Sequence, residues 1–164
     1  MSFVDAVKSG FLNYARFRGR ESRSEFWWFT LFTFVVQAAT SGFDALNGIV
    51  SLGLLLPGIA VHVRRLHDTD RTGWWVLWPA LGLALALVAF ILFAVSTAFD
   101  IVNPDEWDLQ TALEGASAWA IGLVGVGVLV GLVTGIVNLV FLLQRSDDAL
   151  NRFGPPPPPR VVAA

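Results

Sequence analysis

Four stretches of this 164-residue chain carry no Asp, Glu, Lys or Arg: residues 26–43 (18 residues), 45–63 (19), 72–99 (28) and 115–144 (30). A helix that crosses a bilayer needs about 20 mainly apolar residues, with about 17 as the lower limit. The first two runs just reach that length. The last two exceed it, so they tilt or end in the headgroup region. No soluble fold requires four such runs in so short a chain. Hydrophobic residues make up 55% of the sequence and charged residues only 15%, against roughly 25% charged in a soluble domain. The chain reads as all-α and polytopic, with transmembrane helices at about 26–43, 46–63, 74–97 and 117–142.

The ends of the runs are marked. Phe26, Trp27, Trp28 and Phe29 open the first, and Trp74, Trp75 and Trp78 open the third. Amphipathic rings sit well at headgroup depth, so Trp27, Trp28, Trp74 and Trp75 are expected as interfacial anchors. Ser22 and Glu25 have the spacing of a capping box. Asn103-Pro104-Asp105-Glu106 reads as the start of a short acidic helix, with Pro at the first helical position. The second run contains Pro57, which costs one backbone hydrogen bond, and reads as a kinked span or a re-entrant segment.

Charge decides between those two. With four crossings, segments 1–25, 64–71 and 145–164 share one side and hold all 11 Lys and Arg residues. The opposite side receives Asp44, Asp100, Asp105, Glu106, Asp108 and Glu114 and no basic residue. The positive-inside rule then puts both termini in the cytoplasm. A three-crossing chain would divide the basic residues. The first run is also longer than the roughly 7–15 residues of a signal-peptide core, so it reads as an uncleaved span.

Outside the spans, Phe3, Val4, Val7, Phe11, Tyr14 and Phe17 recur at helical intervals. Residues 3–17 read as an amphipathic helix, lying on the cytoplasmic leaflet or packed on the end of the bundle. Gly19 breaks it. Residues 1–153 are expected to form one membrane domain and 154–164 a flexible tail, in which five consecutive prolines favour extended polyproline II. In the fourth run, Gly127, Gly131 and Gly135 are spaced for close helix packing. Gln37 and Asn138 are candidate buried amides.

Three segments carry a family resemblance. Phe17-Arg18-Gly19-Arg20-Glu21-Ser22-Arg23-Ser24-Glu25-Phe26-Trp27 is the first, and Leu56-Pro57-Gly58 running through Arg64-Arg65-Leu66-His67-Asp68 to Gly73-Trp74-Trp75 is the second. Asn151-Arg152-Phe153-Gly154 is the third. Together they resemble the bacterial inner-membrane family called domain of unknown function 805. Thr72 stands where that family more often has Ser, Asp70 where it more often has Gly, and prolines follow where an acidic residue is usual. The resemblance implies a small multi-pass inner-membrane protein and brings no activity with it.

Arg20, Arg23, Arg64, Arg65, His67 and Asp68 are the candidate functional cluster. Read as a loop, 64–70 has three chemistries open to it. The arginines anchor the helix ends, with Asp68 paired to Arg20 or Arg23 and His67 hydrogen-bonded. Alternatively they converge on a lipid phosphate, which guanidinium forks bind bidentately. Or His67, oriented by Asp68, acts as a base. Adjacent residues rarely face each other, and no nucleophile motif accompanies them. There is no cysteine, no dinucleotide fingerprint, no P-loop and no metal-ligand cluster. No cofactor, metal or nucleic acid is expected. The expected function is a non-enzymatic organiser that binds partners, copies of itself or anionic lipid headgroups at the cytoplasmic face. A transporter or channel component and a lipid-modifying enzyme are the alternatives. Intramembrane charges usually mark an ion pathway, and the four runs hold none.

Overall fold

A computed structural model describes residues 2–102 and 109–157, with side chains described outside 96–121. Its named elements are all helical: α1 (Phe3–Leu12), α2 (Arg23–Thr40), α3 (Asp44–Asp68), α4 (Leu77–Val102) and α5 (Leu109–Leu143). A 3-10 turn, Gly73–Val76, leads into α4. Three segments are long and apolar enough to cross a membrane: Asp44–Asp68, Gly73–Val95 and Gly122–Leu143. The first expected span, now α2, is not among them. It has 18 residues and spends its first turn on Arg23 and Glu25. The expected acidic start at 103–106 lies outside the described residues, as do Pro158 and Pro159 of the proline run.

The chain forms two compact units, Met1–Val76 with Leu139–Ala164, and Leu77–Asn138. In the first unit, α1 begins in a reciprocal capping box between Ser2 and Asp5. It stops at Leu12, earlier than expected. Asn13 closes it by giving both its backbone N–H (3.0 Å) and its side-chain amide (2.9 Å) to the Ser9 carbonyl. Tyr14 and Phe17 therefore lie beyond the helix. One face of α1 packs on α2. Phe11 meets Phe29 and Phe32 edge-on, Phe3 meets Trp28, and Gly10 leaves room for the Phe29 ring.

The Ser22–Glu25 capping box forms as the spacing requires. α3 differs from expectation at its far end. It passes unbroken through Pro57 and runs to Asp68, so Arg64 to Asp68 are helical and do not form a loop. The stop comes at Asp70, whose φ of 55° is left-handed. There Asp70 N–H reaches the His67 carbonyl (3.1 Å) and Arg71 N–H the Leu66 carbonyl (3.0 Å), satisfying the helix end. Only Gly, and sometimes Asn or Asp, adopts this conformation readily, which suits Asp70 to this position. Phe26, Phe29, Val61, Leu66 and Leu142 form the apolar core, flanked by Phe32, Trp75, Val76 and Phe141.

In the second unit, α4 and α5 approach through glycine. A Cβ on Gly82 would meet the Gly131 backbone and the Gly127 carbonyl (2.7 Å), and one on Gly127 would meet Ala86 N (2.7 Å) and the Gly82 carbonyl (2.9 Å). Gly135 does not belong to this contact, since among the described residues no atom of a facing element lies within 4 Å of where its Cβ would be. The stripe of three expected from spacing is thus a contact of two, completed by Gly82. Asn138 is buried as expected. Gln37 is exposed, which corrects the expectation of a buried amide.

Candidate functional site

The last turn of α3 brings charge into an apolar setting. Arg65 and Asp68 are both 0% exposed, and one helical turn apart they pair directly through Arg65 Nη1 and Asp68 Oδ2. Burying an ion pair stabilises only if the remaining donors and lone pairs also find partners. Arg65 meets that condition at the end of α5. Its Nε and Nη2 donate to the Leu142 carbonyl at 3.2 and 3.1 Å, and Nη2 also donates to the Gln144 carbonyl. Asp68 meets it with a second arginine from the segment before α2. Arg20 Nε and Nη2 both donate to Asp68 Oδ1, at 3.0 and 2.9 Å.

Arg20 also reaches the segment after α5. Its Nη1 donates to the Ala149 carbonyl (2.7 Å) and the Gly154 carbonyl (3.3 Å), and its Nη2 to the Asp147 carbonyl. Asp147 N–H in turn donates to the Asp68 carbonyl at 3.3 Å. The planar fork of a guanidinium, with five donors in fixed geometry, suits this role, which a lysine ammonium would not fill.

Arg64 makes a second buried pair. Its Nε donates to Glu21 Oε2, and its Nη1 to the carbonyls of Asn13 (3.2 Å) and Arg16 (2.5 Å). Glu21 N–H returns a bond to the Arg64 carbonyl at 3.2 Å. Burial pushes the Glu21 carboxyl above its ordinary value, against the pull of the Arg64 charge. Glu21 Oε1 and Arg64 Nη2 are buried with no hydrogen-bond partner among the described residues.

The third motif closes over α3. The His67 ring stacks on Phe153, with centroids 3.8 Å apart and planes 4° from parallel. His67 Nδ1 donates to the Gly19 carbonyl (3.3 Å), and Asn151 Nδ2 donates to the His67 carbonyl (2.9 Å). Arg152 pairs with Asp70 at 3.1 Å on the surface. Asn151 and Gly154 pair backbone to backbone, forming the turn that presents Phe153. Gly154 holds a φ of 126°, open only to glycine without strain. Nearby, Arg71 lies over the Phe141 ring, 3.6 Å from its centroid.

Of the six expected cluster residues, five converge: Arg20, Arg64, Arg65, His67 and Asp68. Arg23 does not join them. It is exposed, and its one side-chain hydrogen bond among the described residues goes to the Leu143 carbonyl, at 3.4 Å. Asp68 orients two arginines, not His67, and His67 is held by a backbone carbonyl and a ring. Sequence reasoning missed Glu21. Its position between Arg20 and Ser22 inside the first motif was the available signal. It also missed the carbonyls of residues 142–154, which have no sequence signature. Of the four expected anchors, Trp27, Trp28 and Trp74 are exposed. Trp75 is not; it packs edge-on against Phe141 at 5.0 Å. Among the described residues, no three His, Asp or Glu side chains are grouped to hold a metal.

Comparison with known proteins gives a consistent result. A family model described as "Protein of unknown function (DUF805)" matches residues 14–104. The chain is 38% identical over 89 residues to the inner membrane protein YhaI of Escherichia coli K12, covering 48% of this chain and 75% of that protein. It is 40% identical over 91 residues to the inner membrane protein YhaH of the same strain, covering 46% and 75%. No solved structure matches.

Proposed function

The chain belongs to the DUF805 family and is a multi-pass inner-membrane protein, and from that premise we propose that it is a non-enzymatic organiser at the cytoplasmic face. In this reading α2 is the fourth span and both termini are cytoplasmic. At 18 residues α2 is roughly 27 Å long, close to the roughly 30 Å hydrocarbon core. Four crossings also keep all 11 basic residues on one side.

One observation carries the reading. Arg20 spends its guanidinium on Asp68 and on carbonyls of residues 147, 149 and 154. The family motifs therefore clamp three chain segments together. They build a platform of defined shape whose outward surface is free to meet membrane-protein partners, further copies or lipid headgroups.

The test compares two variants in cells. His67→Phe keeps an aromatic ring over Phe153 but removes any base. It is expected to leave cellular lipid composition and the protein's blue-native mobility unchanged. Arg20→Gln is expected to change the mobility. Altered lipids in the His67→Phe strain would overturn the reading in favour of a lipid-modifying enzyme.

A transporter is the second reading, favoured by a groove of about 340 Å³ between α2 and α3. Thr33, Gln37, Ser51 and His62 line it, beside Gly58. Polar side chains gathered in a groove beside a helix proline are what favour this reading, and uptake into proteoliposomes would support it.

A further inference from the structure

Arg20, Arg64 and Arg65 have little left to offer a ligand, so headgroup recognition needs basic residues that are both exposed and unpaired. Lys8 on α1, with Arg16 and Arg18 in the chain between α1 and α2, meets that condition. Lys8, Arg16 and Arg18 are exposed, and none has an ion-pair partner among the described residues. Arg16 makes only a long contact of 3.5 Å with Asn13 Oδ1. Exposed apolar side chains are interleaved with them: Phe11, Leu12 at 85% exposure, Tyr14 and Phe17.

The segment is fixed at two heights on α3. Tyr14 Oη donates to the Gly53 carbonyl at 2.6 Å. Arg64 Nη1 holds the carbonyls of Asn13 and Arg16. Gly53 and Arg64 are 11 residues apart on one helix, roughly 16 Å along its axis. A stretch pinned beside a spanning helix at both levels reaches from its charged end towards its apolar middle. Along it the apolar side chains have acyl chains to meet, and the arginines have phosphates. Residues 12–18 also line a concave surface of about 750 Å³. Because Arg64 already orders this backbone, a headgroup binding there would not have to fold it.

We propose that residues 12–18, through Arg16 and Arg18 with Lys8 nearby, form a docking surface for anionic phospholipid headgroups of the bilayer in which the protein sits. This rests on the cytoplasmic placement of the N-terminal segment in the preceding reading. Basic residues near an anionic surface and apolar side chains beside them are the two signals that together hold a segment at an interface.

The test uses the full chain in nanodiscs of equal phosphatidylglycerol and phosphatidylcholine, released gently and examined by native mass spectrometry. The wild type is expected to retain phosphatidylglycerol preferentially. Arg16→Gln/Arg18→Gln is expected to weaken that retention roughly fivefold for each charge removed. Arg145→Gln should not, because Arg145 already shares its charge with Asp148 at 3.5 Å. Equal retention by wild type and the double variant would overturn the proposal. So would an equal loss in Arg145→Gln, which would reduce the effect to net charge. A protein partner co-purifying with wild type but not with the double variant, with lipid retention unchanged, would also overturn it. A separate measurement isolates the underlying reading. The chain has no cysteine, so Ala15→Cys provides a single site, exposed in the same segment. Labelling by an impermeant maleimide only from the cytoplasmic side keeps the platform reading whatever the lipid result. Labelling from the opposite side sinks both.

Discussion

Arg20 and Asp68 are 48 residues apart in sequence and meet as a buried ion pair, with Nε and Nη2 of the arginine on one carboxylate oxygen at 3.0 and 2.9 Å. Arg65 occupies the other oxygen. One carboxylate thus bridges two buried guanidiniums, and both arginines extend from it to the carbonyls at and after the end of α5. This arrangement gives the family motifs a structural reason to occur together.

Glu21 should make stability depend on pH. Its folded-state proton affinity is raised by burial, so the folded chain binds more protons than the unfolded one between the ordinary value of 4.5 and the raised value. Stability therefore falls as pH rises through that window and is level outside it. Thermal midpoints in detergent across the window should show this slope, and Glu21→Gln should flatten it.

Asp70 should tolerate Asn or Gly and resist β-branched residues. Its left-handed φ of 55° costs a β-branched side chain roughly 1–2 kcal/mol. Asp70→Val is expected to lower the thermal midpoint, with Asp70→Asn close to wild type. Loss of the exposed Arg152 pair adds little, since surface pairs contribute about 0–1 kcal/mol.

The glycine contact should be uneven. Gly82→Ala and Gly127→Ala put a methyl into facing backbone, which cannot yield as a flexible side chain can, and overpacking costs about 1–3 kcal/mol. Gly135→Ala has open space. Unfolding in mixed micelles should rank the first two well below wild type and the third level with it.

What could be read from sequence follows the range of the interactions involved. The Ser22–Glu25 cap was legible because both partners lie within one turn. The apolar cores of α3, α4 and α5 were legible because uncharged length is a local property. The α3 end was not. Arg64 and Arg65 look like the residues that stop a span at the headgroups, yet the helix continues to Asp68. Their partners, Glu21 and the carbonyls of Leu142 and Gln144, lie 43 to 79 residues away. The five converging members of the cluster were identified by motif, while their pairing needed the fold. Gly82 was missed for the same reason, since a lone glycine gains meaning only from the helix it faces.

The central claim is that the charges of Arg20, Arg64, Arg65 and Asp68 are spent inside the protein. Its most direct test is a double-mutant cycle on Arg20→Gln and Asp68→Asn, read as thermal stability in detergent and as phosphatidylglycerol retention. Removing one partner of a buried pair typically costs about 3–5 kcal/mol. Each single variant should therefore be strongly destabilised, the double variant should lose clearly less than the sum, and lipid retention should track Arg16 and Arg18 instead. Single variants that keep wild-type stability but lose bound phosphatidylglycerol would contradict the account and return Arg20 to a lipid site.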